Sequence, residues 1–279
     1  MIRRPPRSTQ GVSSAASDVY KRQAYQRDGY VIPTGFQLGD EELASLHSAL
    51  DHVLADNPDI LPDRLINAHL DGGKPYGIRG QRAFYDLARD PRILDMAEAV
   101  MGPNLVLLFS HLFCKPAFGA RDVPWHQDGP FWPVKPLASV SVWVALDLVN
   151  AENGAMRVIP GSHHNYQPHH LVDRTDSALN REIDADDIND RDAVTIELAA
   201  GQVSLHDIGI VHGSAANRSV RRRAGLALRY MPATSQVHRK MPNAAADWCD
   251  MPNELVSGRN LHDGTDFTLC EFGRPWSAS

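Results

Sequence analysis

The chain has 279 residues, of which 43% are hydrophobic and 22% charged, as expected for a globular protein with one sizeable core. Its net charge of −6 argues against nucleic acid or an anionic membrane as a partner, because both prefer a basic face. No apolar run approaches the ~20 residues of a transmembrane helix. Three cysteines, at no metal-ligand spacing, argue against a disulfide framework and favour the reducing cytoplasm. We expect a cytoplasmic monomer or homodimer whose partner is a small molecule.

Residues 1–23 differ in character from the rest of the chain. They are basic at the start and resemble translated sequencing-adaptor read-through, which occurs at the ends of reading frames from environmental DNA. A disordered basic arm is the alternative. The segment is not typical of a secretory signal peptide, because no apolar stretch follows its basic residues. We therefore exclude it from fold reasoning and take residues 24–279 as one domain.

Helical patterns occupy the part of the domain before residue 104. Asp40 is placed to cap a helix, and Pro91 is expected to interrupt a longer helical pattern because proline lacks the backbone N–H. The predicted elements are, in chain order, a short strand over 29–33, a helix over 41–55, a loop over 57–80 and one or two helices over 81–101.

Strand patterns begin at residue 105. In residues 139–149, alternation places Val140 and Val142 on one face and Trp143 on the other. Strands are predicted over 105–115, 139–149, 156–159, 193–198, 202–205 and 224–231. Helices followed by short strands predict a mainly β fold with flanking helices, and a double-stranded β-helix core, a cupin-like jelly roll, suits this order best. The predicted division is a helical buttress over about 38–101, a jelly-roll core over about 104–232 and a C-terminal extension over 233–279.

Two short motifs supply side chains that can bind a metal ion. His126 and Asp128 are separated by one residue, and in a strand such a pair points to the same face, with Gln127 turned away. His212 follows a predicted strand and bend, and it is the best candidate for a third ligand. Two imidazoles and one carboxylate hold non-haem Fe(II) while leaving coordination positions open. Arg223, eleven residues after His212, suggests that an acid with a second carboxylate shares the site.

His-x-Asp by itself is a weak signal. In a chain with 13 histidines, a surface loop or a hydrogen-bonded core histidine is the ordinary explanation. The pair His206-Asp207 illustrates this problem, and so does the histidine-rich run over residues 163–170, which lies in a polar loop and is interpreted as solvated. The assignment of His126 therefore depends on the motifs that accompany it.

Five motifs accompany one another in a fixed order. They are Trp125-His126-Gln127-Asp128-Gly129, Val142-Trp143-Val144-Ala145-Leu146-Asp147, Glu152-Asn153-Gly154, Ile159-Pro160-Gly161-Ser162-His163, and His212-Gly213-Ser214 with Asn217 and Arg223. In these motifs the chain resembles the phytanoyl-CoA dioxygenase family, from about residue 25 to about residue 264. The resemblance implies a double-stranded β-helix fold, Fe(II) as cofactor, and 2-oxoglutarate and dioxygen as cosubstrates.

The resemblance also implies a catalytic centre and a reaction. His126, Asp128 and His212 match the iron ligands of the family. The implied reaction is oxidative decarboxylation of 2-oxoglutarate to succinate and CO2, coupled to hydroxylation of an unactivated C–H bond. Related halogenases have a small residue at the carboxylate position, so Asp128 favours hydroxylation, or desaturation or cyclisation, over halogenation.

Three further residues match the cosubstrate site of the family. Arg223 matches the arginine that binds the distal carboxylate of 2-oxoglutarate, a task that suits the two parallel hydrogen bonds of a guanidinium. The neighbouring arginines 221 and 222 are the alternatives for this role. Ser214 matches its hydroxyl partner, and Lys115 is also within possible reach. Trp143 matches an aromatic residue beside the cosubstrate, with a plain core aromatic as the alternative.

The substrate is not indicated beyond a small or mid-sized metabolite. Phe131 and Trp132 are expected to line one wall of the pocket, and the helical segment before residue 105 and the loop over 164–192 are expected to form a lid. Three arginines are candidates for meeting an acidic group, with structural or surface roles as the ordinary explanation: Arg79, Arg82 and Arg229.

Two other classes of protein stay open. One is a cupin-type metal-binding jelly roll with another cosubstrate or none, and Arg223 and Ser214 argue against it. The other is a non-catalytic binding protein on the same fold, and the complete ligand set argues against that.

Overall fold

The structure of the protein is a computed structural model, which describes residues 22–71, 78–119, 121–239, 248, 251–262 and 267. Most of the segment predicted to be adaptor-derived, residues 1–21, lies outside the described residues. The same is true of much of the predicted C-terminal extension.

The part of the chain before residue 104 contains four helices among the described residues. The elements are α1 (described over 22–28), β1 (Tyr30–Val31), α2 (Asp40–Asp56), β2 (Leu65–Ile66), α3 (Arg82–Ala88) and α4 (Pro91–Met101). The predicted break at Pro91 is confirmed, because Asp90 caps α4 and Pro91 occupies its first turn, where no backbone N–H is needed. The predicted cap at Asp40 is wrong. Gly39 is the cap residue, and its backbone N–H donates to the Glu42 carboxylate at 2.8 Å.

The remainder is built mainly from strands. They are β3 (Leu105–Lys115), β4 (Val123–His126), β5 (Val134–Lys135), β6 (Val140–Ala145), β7 (Met156–Val158), β8 (His170–Leu171), β9 (Arg181–Glu182), β10 (Val194–Thr195), β11 (Val203–Asp207), β12 (His212–Ser214), β13 (Arg223–Pro232), β14 (Gln236–Val237) and β15 (Glu254–Ser257). The strand predicted over 139–149 is shorter than expected. The backbone N–H groups of Leu146 and Asp147 both donate to the Ala224 carbonyl, which ends the regular pairing.

Two antiparallel sheets form the core, and the predicted mainly β, jelly-roll fold is confirmed. The larger sheet has the order β1-β11-β6-β13-β3-β15, with β2 also paired to β3. The smaller sheet has the order β10-β7-β12-β4. No helix in the part of the chain that the structure describes has the length and apolar character needed to cross a membrane.

The larger sheet has two different faces. One face packs against α2, α3 and α4 in a continuous apolar core that includes Leu50, Phe84, Ile93, Leu226 and Leu228. The other face borders a cavity between the sheets. The helices therefore cover one side of the sheet and leave its other side available for a site.

A register shift in β3 changes which side chains face the cavity. Phe109 pairs with Arg229 and Leu107 pairs with Tyr230, so Leu108 has no opposite residue. This extra residue is a β-bulge, which reverses the alternation of the strand. Leu107 therefore belongs to the core beneath the helices, while Phe109 lines the cavity.

Candidate metal centre and its cavity

Three side chains that can bind a metal meet where β4 ends and β12 begins in the smaller sheet: those of His126, Asp128 and His212. Each offers one ligand atom, and these atoms all lie within 4.8 Å of one another. His126 is the last residue of β4 and His212 the first residue of β12, and the two are direct partners across these strands. Their rings are therefore close, with centroids 4.1 Å apart.

Asp128 reaches the other two residues by a turn. The strand ends at His126, and Asp128 has a helical backbone conformation that starts a short 3-10 turn over Gly129–Phe131. The expectation that one strand presents both His126 and Asp128 is therefore wrong, although the two side chains still meet at 3.7 Å. Gln127 points away as expected, and its amide donates to the Gly209 carbonyl at 2.5 Å.

Backbone carbonyls orient both imidazoles. Nδ1 of His126 donates to the Pro124 carbonyl at 2.8 Å, and Nδ1 of His212 donates to the Ile210 carbonyl at 3.0 Å. Because a carbonyl oxygen only accepts, the other ring nitrogen, Nε2, carries the free lone pair that a metal requires. Burial, and then the neighbouring His126, hold the pKa of His212 well below its ordinary value, which favours the neutral ligand form.

Asp128 is a buried carboxylate that stays ionised. Burial alone would raise its pKa, but Arg229, His126 and His212 outweigh this effect and hold the pKa well below the ordinary range. Its Oδ2 atom is buried and has no hydrogen-bond partner among the residues that the structure describes. Two imidazole nitrogens and one ionised carboxylate fit the donor set of a non-haem iron site.

Arg223 is buried at the start of β13, whereas its neighbours 221 and 222 lie outside the cavity. Its Nη2 donates to the Gly154 carbonyl at 2.5 Å, and its guanidinium lies 5.5 Å from the ring centroid of Trp143. Nε is buried without a partner within the described ranges. Arg222 instead pairs with Asp147 at 3.0 Å, and Arg221 is exposed. Of the three adjacent arginines, only Arg223 lines the cavity.

Two glycines, one in a turn and one in β13, allow the partners of Arg223 to lie close to it. Gly154 has a φ of +82°, and a Cβ there would lie 2.5 Å from the Ala215 carbonyl oxygen, so the position requires glycine. Gly225, two residues after Arg223, faces the Trp143 ring so closely that a Cβ would overlap it. The small residue therefore lets Trp143 lie beside Arg223.

Ser214 and Lys115 form a second polar group next to Arg223. Nζ of the buried Lys115 donates to Oγ of Ser214 at 2.8 Å and to the Ala215 carbonyl at 2.5 Å. Burial, and then the nearby Arg223, lower the pKa of Lys115 to about 7. The chain thus places Ser214 and Arg223 in the cavity wall, with the buried amine of Lys115 hydrogen-bonded to the Ser214 hydroxyl.

A cavity of about 650 Å³ connects these groups. Its lining includes all three metal-centre residues together with Arg223, Ser214 and Trp143. Phe131 and Trp132 line it, as expected from the sequence. The expected lid segments contribute Ile60, Asp63, Arg64 and Ile66, together with residues 178–181, to the lining.

Two buried polar residues of the cavity do not belong to the site predicted from sequence. The sequence pattern favours an ordinary hydrogen-bonded or surface role for His206, but this residue lines the cavity, and its ring centroid lies 5.2 Å from that of His212. Arg229, for which a structural or surface role was the ordinary explanation, also lines the cavity and is buried. Alternation along β11 and β13 could have indicated both, since His206 and Arg229 follow the inward-facing positions of their strands. Arg79 is exposed, and Arg82 pairs with Asp86 at the surface.

Comparison with family models matches residues 25–225 to the family described as phytanoyl-CoA dioxygenase (PhyH). The chain is 31% identical over 181 residues to a probable alpha-ketoglutarate-dependent hypophosphite dioxygenase of Stutzerimonas stutzeri, covering 64% of this chain and 62% of that protein. It is 26% identical over 234 residues to the ectoine dioxygenase of Sphingopyxis alaskensis, covering 77% of this chain and 76% of that protein. The chain thus spans less than two thirds of the first relative.

Solved structures give a similar result. The apo form of the non-haem monooxygenase ThoJ superposes with a TM-score of 0.68 at 25% identity, covering 88% of this chain and 86% of ThoJ. The epimerase SnoN, in complex with Fe3+, alpha ketoglutarate and nogalamycin RO, superposes with a TM-score of 0.67 at 25% identity, covering 91% of this chain and 96% of SnoN.

Proposed function

Since the chain belongs to the phytanoyl-CoA dioxygenase family, we propose that it is an Fe(II)- and 2-oxoglutarate-dependent dioxygenase. Its proposed reaction hydroxylates an unactivated C–H bond of a small or mid-sized metabolite and releases succinate and CO2. One observation carries this proposal. The three donor atoms of His126, Asp128 and His212 lie within 4.8 Å of one another in the same cavity as the buried guanidinium of Arg223.

The two ends of 2-oxoglutarate require two different kinds of partner. In this proposal the Fe(II) site of His126, Asp128 and His212 supplies the activation of dioxygen and the binding of the 2-oxo acid group. Arg223 binds the distal carboxylate, because its unpartnered Nε can donate a charge-assisted hydrogen bond. Ser214 and Lys115 complete that end of the site, where Nζ of Lys115 already donates to Oγ of Ser214.

The remaining residues of the chain position these groups and exclude water. The carbonyls of Pro124 and Ile210 hold the imidazoles in the tautomer that directs Nε2 to the metal. Trp143 packs beside Arg223 and limits where its guanidinium can point. Exclusion of water from the cavity strengthens each of these electrostatic contacts and limits side reactions.

The proposal is tested by succinate formation from 2-oxoglutarate in the presence of Fe(II) and a screen of metabolites. His126→Ala and Asp128→Ala are each expected to abolish succinate formation, because two ligands hold the metal weakly. His164→Ala is the matched control, since His164 is an exposed histidine outside the cavity, and it is expected to keep wild-type turnover.

The same experiment separates the alternatives. Metal binding without 2-oxoglutarate turnover would favour a cupin-type protein with another cosubstrate. Absence of Fe(II)-dependent turnover with every substrate would favour a non-catalytic binding protein. Halide incorporation by the unmutated protein would overturn hydroxylation as the outcome. Wild-type succinate formation by Asp128→Ala would remove Asp128 from the metal centre.

A further inference from the structure

Arg229 is a buried cation that does not contact 2-oxoglutarate in the proposed binding mode. It is 5% exposed and lines the cavity. Its guanidinium lies 4.8 Å from the ring centroid of Phe109, 5.3 Å from that of Trp132 and 5.8 Å from that of Phe113. Three aromatic rings therefore fix its position without using its hydrogen-bond donors.

The donors of Arg229 are unused among the residues that the structure describes. Nε and Nη1 are both buried and have no hydrogen-bond partner there. Nη2 lies 3.7 Å from Oδ2 of Asp128, which is an ion-pair distance but too long for a hydrogen bond. A buried guanidinium with free donors is costly, and an anion from outside the chain would satisfy it.

The charge balance of the cavity also favours an anion. In the loaded site, the two charges of Fe(II) and the two carboxylates of 2-oxoglutarate cancel. Asp128 then cancels only one of the two buried guanidinium groups, those of Arg223 and Arg229. The other acid in the lining, Asp63, is bound by Arg121 at 2.9 Å. At least one positive charge therefore stays without a counter-ion.

His206 adds a further unused polar group. It is buried on β11 and lines the same cavity, and neither of its ring nitrogens has a hydrogen-bond partner in the described part of the chain. The lining near these residues is largely apolar, with Phe131, Trp132, Trp248 and Met251, and the half-buried Arg181 lies 5.0 Å from the ring centroid of Phe131. This end of the cavity thus offers the buried cation of Arg229 and one uncharged donor beside an aromatic wall.

We propose that Arg229 binds the carboxylate of the substrate, and that the substrate is a small organic acid whose apolar part lies against Trp132 and its neighbours. This inference rests on the proposed function, because it identifies the substrate class of the same site. A carboxylate accepts two hydrogen bonds at one edge of a guanidinium, and in Arg229 such an edge combines Nη2, which makes no hydrogen bond to Asp128, with Nε or with Nη1. The two arginines of β13 then bind different acids: Arg223 binds 2-oxoglutarate, and Arg229 binds the substrate.

The test compares an acid with its uncharged isostere. The full chain is loaded with Zn(II), which is diamagnetic and does not support turnover, and with 2-oxoglutarate. Binding of phenylacetate and of phenylacetamide is then measured by ligand-observed NMR titration. The wild-type chain is expected to bind phenylacetate about tenfold or more tightly than phenylacetamide, because the amide loses the charge-assisted bonds.

The variants assign this preference to one residue. Arg229→Met is expected to reduce the ratio of the two dissociation constants to about one, and Arg229→Lys to keep part of it, because lysine keeps the charge without the paired donors. Arg221→Met, at an exposed arginine, is the control and is expected to keep the wild-type ratio. If Arg229→Met does not fold, Arg229→Gln has the same expected result.

Three outcomes would overturn the inference. The first is a ratio near one in the wild-type chain, and the second is a wild-type ratio in Arg229→Met. The third is a weaker binding of Zn(II) or 2-oxoglutarate in Arg229→Met with the ratio unchanged, which would assign Arg229 to Asp128 or to the cosubstrate. Failure of the proposed function is distinguishable, since it would appear as absent 2-oxoglutarate binding and turnover.

Discussion

The two faces of β13 are equally buried, but they are stabilised in different ways. Leu226 and Leu228 point to the helices and belong to a continuous apolar core. Arg223 and Arg229 point to the cavity, and each keeps at least one buried donor atom without a partner in the described part of the chain. The outward, helix-facing side is satisfied by packing and by the hydrogen bond that the Tyr230 hydroxyl donates to the Ala88 carbonyl, whereas in our proposals bound anions complete the inward, cavity-facing side.

This difference has a general consequence for the molecule. Burial by itself does not separate core residues from site residues in this fold, because every residue from Arg223 to Met231 is buried. Core residues and site residues differ instead in whether their polar atoms have hydrogen-bond partners. Substitutions on the inward, cavity-facing side of β13 should therefore change ligand binding. Substitutions on its outward, helix-facing side should change folding stability.

The largest effect is expected for Arg223→Met. Loss of the guanidinium, with its charge and its hydrogen bond to the distal carboxylate, should raise the dissociation constant for 2-oxoglutarate about 100-fold or more. The free energy of unfolding of the metal-free chain should stay unchanged or rise, because the variant removes a buried charge that lacks full compensation. Isothermal titration and urea unfolding measure the two quantities.

Arg222→Met is the matched control for this variant, since Arg222 pairs with Asp147 and lies outside the cavity. Wild-type 2-oxoglutarate affinity in Arg223→Met would move the cosubstrate role to Arg222 or Arg221. A large loss of folding stability in the same variant would show that the inward face is also structural.

A smaller effect, on stability instead of binding, is expected for Leu226→Ala. Leu226 is fully buried beneath the helices, so truncation should lower the free energy of unfolding by about 2–5 kcal/mol. The dissociation constant for 2-oxoglutarate, measured on the folded fraction, should stay within about twofold of wild type, because a tenfold change requires about 1.4 kcal/mol. A strong loss of affinity at unchanged stability would contradict the division between the two faces.

The smallest effect is expected from Lys115, the cross-strand partner of Arg223 on the inward face. Its pKa is lowered from 10.5 to about 7 in the folded chain, so between these values the unfolded chain binds more protons than the folded chain. Stability should therefore rise with pH across this window, by about 1–2 kcal/mol between pH 7 and 9. Below about pH 7 this contribution is constant, because lysine is protonated in both states.

Urea unfolding of the metal-free chain at pH 7 and pH 9 measures this contribution. Lys115→Met should remove it and flatten the pH dependence, while Lys135→Met, at an exposed lysine, should leave the dependence unchanged. An identical pH dependence in wild type and Lys115→Met would show that Lys115 carries no electrostatic cost in the folded chain.

Local patterns in the sequence are sufficient to predict most of the helices and strands of the fold. The strand over residues 105–115 and the helix break at Pro91 follow from apolar periodicity and from the missing N–H of proline, both of which are local properties. The cap at Asp40 was wrong by one residue, since Gly39 adopts the extended conformation of a cap and Glu42 supplies the carboxylate.

The candidate site was only partly predictable, because its remaining features are non-local. The motifs place His126, Asp128, His212 and Arg223 in one site, and the structure brings these residues to one cavity. The turn that carries Asp128 out of β4 was not predicted, since it depends on packing beyond the strand. Arg229 was not separated from surface arginines, because its burial depends on neighbours from other strands.

Because of the bulge at Leu108, the side chains of β3 alternate between the two faces of the sheet in opposite order before and after that residue. Before it, odd-numbered residues such as Leu107 face the helices, and after it, odd-numbered residues such as Phe109 face the cavity. If the strand kept Leu108 but paired it like its neighbours, without the bulge, the alternation would be regular from end to end. The strand would then have to turn either its leucines into the cavity or its aromatic wall into the core. The capacity of this fold to enclose a ligand therefore depends on a one-residue difference in length between two paired strands.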